Sequence, residues 1–158
     1  MLTNGFNHVA ILTNNSERLH AFYKEVFDAT VSPGGPGPAD APEGQVRMSI
    51  VHVGPHSELN VFEIKGNTET ERQTPMFGRG RIDLLALHAA HIDAFDTIRD
   101  RLMQKGASDG FVTDFGAIFS VFFRDPDGLE GEVCVENPDA EPGVAHPPGT
   151  PAKRYQSS

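Results

Sequence analysis

A pattern that occurs twice restricts the fold of this 158-residue sequence more than any other feature. Residues 6–13, FNHVAILT, are mostly apolar and predict a strand, and apolar residues then recur at helical spacing. A shift of 76 residues, the interval from Phe6 to Ile82, places residues 82–89 and a helix stripe that Gly106 ends on the same pattern. The aligned pairs are Phe6 and Ile82, Asn7 and Asp83, Ala10 and Ala86, Leu19 and Phe95, Phe22 and Ile98, and Val26 and Leu102. The sequence therefore predicts an internal duplication.

The sequence of each copy predicts a βαβββ unit. In the first copy, Asn14 and Glu17 resemble a capping box at the start of the helix. The segments that follow are a strand beginning at 27–31, a Pro- and Gly-rich loop at 32–44, and a hairpin at 47–53 and 59–64. In the second copy the later strands are predicted at 111–115, 118–124 and 131–136, with Asp125-Pro126-Asp127-Gly128 as the last turn. Residues 65–81 connect the two copies.

Composition argues against several classes of partner. Thirteen basic and 22 acidic residues give a net charge of −9, which repels nucleic acid phosphates and anionic lipid headgroups. No run approaches the roughly 20 apolar residues that a membrane helix needs. The single cysteine, Cys134, cannot form an internal disulfide, and the first residues do not resemble a secretion leader. We therefore expect a cytoplasmic protein with neither nucleic acid nor membrane as a partner.

Residues 122–136, FFRDPDGLEGEVCVE, place the carboxylate of Glu132 on an otherwise apolar strand directly after a turn. Together with the repeated strand-helix unit, this segment resembles the vicinal oxygen chelate superfamily, which contains glyoxalases, extradiol dioxygenases, epimerases and bleomycin-resistance proteins. The resemblance covers about Phe6 to Asn137. It implies an α+β fold in which two βαβββ modules, 6–64 and 82–136, form curved mixed sheets around a shared cleft. Residues 1–137 are then a single domain, and 138–158 form a Pro-rich C-terminal tail.

The resemblance also implies a metal site. In the superfamily the ligands come from the third residue of the first strand and a residue early in the last strand of each module. Those positions hold His8 and Asn60 in the first module, and Leu84 and Glu132 in the second. A divalent ion (Zn, Fe, Mn or Ni) held by His8 and Glu132 would leave positions for adjacent oxygens of a substrate. Leu84 cannot ligate a metal, however, and Asn60 offers only a neutral amide oxygen.

Two other side chains are candidate replacements for the missing ligands. His88 lies further along the same face of its strand as Leu84, about 13 Å away at roughly 3.3 Å per residue. Glu63 would serve only if its strand changed register by one residue.

The candidate site residues also have interpretations without a metal. His8 fits equally well as a hydrogen-bonded histidine in a polar cleft. Glu132 needs a partner inside an apolar strand, and that partner is a metal ion, a cation such as Arg124, or a proton. With a proton, Glu132 becomes a candidate general acid or base. The candidate pocket-lining residues are Asn60, Phe62, Leu84, His88, His52 and Phe122.

Three functions remain open from the sequence. The first is a metal-dependent lyase, isomerase or dioxygenase acting on a small organic molecule with vicinal oxygens. The second is a metal-free protein that sequesters a small apolar ligand, and the third is a scaffold or subunit-interaction module. The resemblance further implies a homodimer. The tail, with its five prolines, is either floppy or wraps over its own domain or a neighbouring subunit, with Tyr155 as a candidate anchor.

Overall fold

The chain divides into two compact units in the computed structural model. Unit 1 comprises residues 1–73 and 126–128, and unit 2 comprises residues 74–125 and 129–158. The structure describes residues 2, 6–35, 45–71, 78 and 82–156. The predicted loop at 32–44 and the predicted connection at 65–81 lie partly outside these residues. No helix in the described part of the chain is both long enough and apolar enough to cross a membrane.

Unit 1 contains a four-stranded mixed sheet and one long helix. Its elements are β1 (His8–Thr13), α1 (Ser16–Phe27), β2 (Thr30–Pro33), β3 (Val46–Gly54), β4 (Ser57–Ile64) and a short 3-10 helix (Glu69–Glu71). The strand order is β1-β4-β3-β2. The outer strand β1 is parallel to β4, and the other pairs are antiparallel.

Unit 2 repeats this arrangement. Its elements are β5 (Leu85–His88), α2 (Ile92–Gln104), β6 (Val112–Asp114), β7 (Ile118–Arg124), β8 (Glu130–Glu136) and a 3-10 helix (Lys153–Tyr155). The strand order is β5-β8-β7-β6, again with only the first pair parallel. The predicted α+β fold of two βαβββ modules with mixed sheets is therefore confirmed.

The start and end of α1 differ from the predicted boundaries. Asn15, not Asn14, is the N-cap, and its side-chain oxygen accepts a hydrogen bond from the Arg18 backbone N–H at 3.0 Å. The helix continues to Phe27, so β2 begins at Thr30 instead of near Phe27. Asp28 ends the helix in the left-handed region, with φ of 53°, and its N–H bonds to the Tyr23 carbonyl.

Each unit has its own core between the helix and one face of the sheet. In unit 1, Leu19, Tyr23 and Val26 of α1 are fully buried together with alternate residues of β3 and β4. In unit 2, Phe95 and Leu102 of α2 are buried in the same way. The buried strand residues are Val51, Leu59 and Val61 in unit 1, and Phe119, Val121, Val133 and Val135 in unit 2.

The Pro-rich tail packs on its own module, which is one of the alternatives left open by the sequence. Backbone hydrogen bonds join Asp114 N to the Thr150 carbonyl at 2.8 Å and Ala152 N to the Val112 carbonyl at 3.0 Å. Tyr155 is the anchor, because its ring lies 5.9 Å from the rings of both Phe95 and Phe119. The tail therefore extends the sheet of unit 2 beyond β6 and adds an aromatic side chain to its core.

Candidate functional site

The two faces of each sheet have different roles. In unit 1, Glu63 accepts a hydrogen bond from the Ser16 backbone N–H at 2.9 Å, and Ser49 contacts His20 at 2.7 Å, so both strand residues face α1. Their strand neighbours point the other way. We call the face directed away from the helix the distal face. In unit 1 it carries His8, Ala10, Leu12, Met48, Ile50, His52, Glu58, Asn60 and Phe62, and in unit 2 Ala86, His88, Ser120, Phe122, Glu132 and Cys134.

The strand registers make Asn60 and Glu132 equivalent positions. Asn60 lies between Ala10 of β1 and Ile50 of β3. Glu132 lies between Ala86 of β5 and Phe122 of β7 in the same manner. A polar side chain thus occupies the same place on the distal face of each unit, with an alanine on one side and a large apolar residue on the other. This environment can bind an apolar molecule and make one specific polar contact with it.

Hydrogen bonds within unit 2 hold the Glu132 carboxylate in place. The Ser120 hydroxyl donates to Oε1 of Glu132 at 2.5 Å. Burial, the negative charge of Glu132 and a hydrogen bond to that carboxylate raise the pKa of the Cys134 thiol to about 12. Glu132 therefore sits beside two protonated groups from two strands. The sequence had suggested Arg124 as its cation, but Arg124 forms its ion pair with Glu130, at 3.6 Å.

Asn60 has no such support in unit 1. Its Oδ1 atom is buried and has no hydrogen-bond partner among the residues that the structure describes. With Asn60 aligned on Glu132, Met48 and Phe62 occupy the positions of Ser120 and Cys134. Neither Met48 nor Phe62 carries a hydrogen-bond donor. The amide oxygen consequently remains unpaired on an apolar surface.

The remaining predicted site residues do not cluster around these two side chains. His8 is exposed at the start of β1 and donates from Nδ1 to the Asn7 side chain at 2.8 Å. Leu84 precedes β5, and His88 is exposed and registers with Cys134 instead of Glu132. His8 belongs to unit 1 and Glu132 to unit 2, and their convergence on one ion stays a prediction.

The suggested replacement of a ligand by Glu63 is wrong. Glu63 faces α1, and hydrogen bonds from Ser16 lower the pKa of its carboxyl group. The carboxylate thus satisfies a free N–H group at the start of the helix and lies on the opposite side of the sheet from Asn60.

Comparisons with known proteins identify the family. The profile described as "Glyoxalase/Bleomycin resistance protein/Dioxygenase superfamily" matches residues 5–133. The chain belongs to this superfamily. A search among curated protein sequences found no match.

Solved structures of the superfamily share the fold at low sequence identity. A glyoxylase/bleomycin resistance protein/dioxygenase domain from Frankia sp. EAN1pec is 18% identical with a TM-score of 0.67, covering 87% of this chain and 95% of that one. Lactoylglutathione lyase from Agrobacterium tumefaciens is 18% identical with a TM-score of 0.57, covering 85% and 96%. The fosfomycin resistance protein FosX from Listeria monocytogenes, complexed with Mn(II) and sulfate, is 14% identical with a TM-score of 0.59, covering 86% and 95%.

The donor set of this chain does not fit the metal that some members of the superfamily hold. Within either unit, the described residues contain no group of three His, Cys, Asp or Glu side chains that could bind a metal ion. Of the four positions that the superfamily implies, Leu84 has no donor atom and Asn60 has a neutral one. A divalent transition metal needs several imidazole, thiolate or carboxylate ligands at about 2.0–2.3 Å.

The distal face of unit 1 carries a polar cluster of Ser32, His52 and Glu58 that the sequence did not predict. The sequence placed His52 at a pocket wall or sheet rim, with a catalytic role as an alternative, but did not predict its partners: its Nδ1 lies 3.2 Å from Oε1 of Glu58 and its Nε2 lies 2.9 Å from Oγ of Ser32. The three residues come from three adjacent strands. Polar residues at alternate positions of these strands were the only available indication, because the pairing depends on the register.

Proposed function

We propose that each unit of this protein can bind a small, largely apolar organic molecule that carries a hydrogen-bond donor, at Asn60 on the distal face of unit 1 or at Glu132 on that of unit 2, without a metal ion. The observation that carries the proposal is the buried Oδ1 atom of Asn60, which has no hydrogen-bond partner within the described part of the chain. A buried acceptor without a partner costs about 1–3 kcal/mol, because folding removes it from water. A ligand hydroxyl or N–H group that bonds to this oxygen recovers that cost.

The surroundings of Asn60 define the apolar part of the ligand. Ala10 and Ile50 flank the amide in the sheet, and Phe62 follows two residues later on the same strand face. The alanine side chain is small, and the larger side chains of Ile50 and Phe62 offer apolar contact area. Sites for small molecules are typically lined in this way, with few polar groups that set orientation.

Glu132 occupies the equivalent position in unit 2 and supplies the polar contact of that unit. The Ser120 hydroxyl orients its carboxylate, and the neighbouring thiol stays protonated. An oriented carboxylate accepts hydrogen bonds strongly and attracts a cationic group. We infer that ligands with a hydroxyl or amino group are favoured over ligands that carry only acceptors.

Metal-assisted chemistry is the alternative function. It requires His8 and Glu132 to share a Zn, Fe, Mn or Ni ion. FosX, which has a similar fold, was solved in complex with Mn(II). Leu84 and Asn60 weaken this alternative because they replace two of the usual ligands. The two proposals differ in the role of His8. Only the metal-dependent alternative requires this residue.

Matched probes test the binding proposal. Phenol and toluene have nearly the same shape, but only phenol donates a hydrogen bond. Ligand-observed NMR should show preferential binding of phenol to the wild-type protein. Asn60→Leu should abolish that preference and raise the free energy of unfolding by about 1 kcal/mol, because the unpaired acceptor disappears. Met48→Leu, a volume-conserving change on the same face, should retain the preference.

Metal binding is tested on the same protein. Equilibrium dialysis against Mn(II) and Zn(II) should give no stoichiometric binding, and phenol binding should be unchanged in His8→Ala. One tightly bound ion per chain that is lost in both His8→Ala and Glu132→Ala would overturn the proposal in favour of the metal-dependent alternative. Equal binding of phenol and toluene to the wild type would refute the role of Asn60.

A further inference from the structure

Three side chains lie in a row on the distal face of unit 1, with a hydrogen bond between Ser32 and His52 and an ion-pair contact between His52 and Glu58. Ser32 lies on β2, His52 on β3 and Glu58 on β4. The Ser32 Oγ atom is 2.9 Å from Nε2 of His52, and Nδ1 of the same ring is 3.2 Å from Oε1 of Glu58. Both ring nitrogens are thereby engaged, one by a hydroxyl and the other by a carboxylate.

The register explains why these residues meet. His52 of β3 is directly opposite Glu58 of β4 and Thr30 of β2. Ser32 is two residues beyond Thr30, so its side chain points to the same face and reaches the ring diagonally. Three neighbouring strands therefore fix the order hydroxyl, imidazole, carboxylate.

This order has a specific chemical consequence. The negative charge of an ionised Glu58 carboxylate, 3.2 Å from Nδ1, favours the tautomer with the proton on Nδ1. Nε2 then carries a lone pair that accepts the Ser32 hydroxyl hydrogen. An imidazole held in this state is a general base for the hydroxyl. We propose that Ser32 is a nucleophile toward activated acyl compounds, such as aryl esters, with His52 as its base and Glu58 as a positioning residue.

The three side chains are accessible to a reagent. Ser32 is half-buried, and the side chains of His52 and Glu58 are 35% and 32% exposed. Strand β2 is at the edge of the sheet, and the Val31 N–H points away from β3, where it could bond to a developing oxyanion. The proposal does not depend on Asn60, Glu132 or a bound ligand.

The reaction balances without a further reagent. The Ser32 oxygen bonds to the acyl carbon, and its proton passes to Nε2 of His52. The bond between the acyl carbon and the leaving oxygen breaks, and the alcohol leaves with the proton from His52. Water then attacks the acyl-serine in the same way, which releases the carboxylic acid and returns a proton to Ser32.

A second serine-histidine pair in unit 1 provides a matched control. Ser49 contacts Nε2 of His20 at 2.7 Å, which is at least as close as the proposed pair. Ser49 is only 9% exposed and faces α1, however. Burial lowers the pKa of His20, with Lys24 as the next cause. Ser49 should therefore be unreactive despite its histidine.

Labelling with an alkyl fluorophosphonate tests the proposal. The Ser32 oxygen displaces fluoride at phosphorus, so one label per chain should appear on the peptide that contains Ser32. Ser32→Ala should remove the label, and Ser49→Ala should leave it unchanged. His52→Gln should slow labelling by about 100-fold or more, because the general base is lost.

Glu58→Gln separates positioning from simple packing. A glutamine amide can donate to Nδ1 and so stabilise the tautomer whose Nε2 carries the hydrogen, which should slow labelling by a similar factor. Thermal unfolding of each variant should show that it is folded, since all three side chains are partly exposed. A label on another residue, or equal labelling rates in wild type and His52→Gln, would overturn the proposal. Failure of phenol binding would not affect it.

Discussion

The two units share a strand order and a register but differ in the polar group at their equivalent position. In unit 2, the Glu132 carboxylate has Ser120 and Cys134 beside it, and Ser120 donates to it directly. In unit 1, Asn60 has apolar neighbours at those places, and none of the described residues donates a hydrogen bond to its oxygen. At the same place in the duplicated fold, the Glu132 carboxylate thus receives a hydrogen bond from Ser120, whereas the Asn60 amide oxygen receives none from the described residues. The equivalent backbone position therefore carries two chemically different polar groups with different neighbours.

The cores of the two units also differ in where the larger side chain lies. Leu59 and Val51 are opposite each other in unit 1, and Gly131 and Phe123 are opposite each other in unit 2. One unit therefore places the large side chain on the last strand, and the other places it on the neighbouring strand. All four residues are buried, so each core is filled from a different strand at this position.

The largest expected effect concerns the reactivity of Cys134, which occupies the place of Phe62 in unit 1. Because its pKa is raised from 9.0 to about 12, the reactive thiolate is scarce. Alkylation by iodoacetamide at pH 8 should be roughly a thousandfold slower in the native protein than in guanidinium. Mass spectrometry of timed samples gives both rates.

Two variants separate the causes of this low reactivity. Glu132→Gln should recover only part of the rate, because burial is the larger cause and the charge the smaller. Ser120→Ala should give no acceleration, since the Ser120 hydrogen bond lowers the thiol pKa. Similar rates in native and unfolded protein would show that Cys134 is not protected by its surroundings.

The next effect concerns how tightly each core is packed at Leu59 and at Gly131. Leu59 is 1% exposed, and Leu59→Ala should reduce the free energy of unfolding by roughly 2–5 kcal/mol, because a cavity remains. Gly131→Ala should cost roughly 1–3 kcal/mol for the opposite reason, since its new Cβ would collide with the Phe123 ring. Urea unfolding monitored by circular dichroism measures both changes.

Phe123→Val sharpens the test, because it gives unit 2 the smaller side chain found in unit 1. Combined with Gly131→Ala, it should cost less than the sum of the single changes. Additive costs would mean that the two residues do not share one packing volume.

The repeat explains why the fold could be predicted from the sequence, while much of the site could not. Apolar spacing placed the strands and helices, and the turn before Glu132 identified the module. Asn60 and Glu132 were correctly predicted as equivalent because both lie early in the last strand of their modules. Local spacing failed at β2, where the helix continued to Phe27 and delayed the strand.

Contacts between strands were the part that spacing could not supply. Ser32 and His52 are 20 residues apart, and Ser120 and Glu132 are 12 apart, so each pair depends on the register of two strands. A shift of one residue would have moved each side chain to the opposite face. The tail illustrates the same limit, because its composition is typical of a disordered segment although Ala152 is 1% exposed.

A third effect concerns the sheet edges, where only unit 2 receives the tail. Tyr155 packs against Phe95 and Phe119, and Arg99 lies 5.0 Å from the centre of its ring. Tyr155→Ala should reduce the free energy of unfolding by about 2 kcal/mol, below the cost for a fully buried aromatic residue. Tyr155→Phe loses only the hydrogen bond to Asp96 and should cost about 1 kcal/mol.

Hydrogen exchange locates this effect. Tyr155→Ala should increase the exchange of backbone amides in β6, including the Asp114 N–H that bonds to Thr150. Amides of β2 in unit 1 should serve as the internal control and remain unchanged. Unchanged exchange in β6 would mean that the tail does not hold this edge.

The smallest expected effect is the pH dependence of the stability contributed by the contact at the start of α1. Glu63 of β4 accepts the Ser16 N–H at the start of α1, whereas the ring of His91 caps α2 by accepting the Ala94 N–H at 3.2 Å. Hydrogen bonds from Ser16 are the main cause that lowers the pKa of Glu63 from 4.5. A carboxyl group with a lowered folded-state pKa stabilises the protein above its unfolded pKa, and that contribution is lost as the pH falls. Glu63→Gln should therefore reduce the melting temperature at pH 7 and do so less at pH 3.5. A difference between the variant and the wild type that stays constant across this range would contradict the ionised contact.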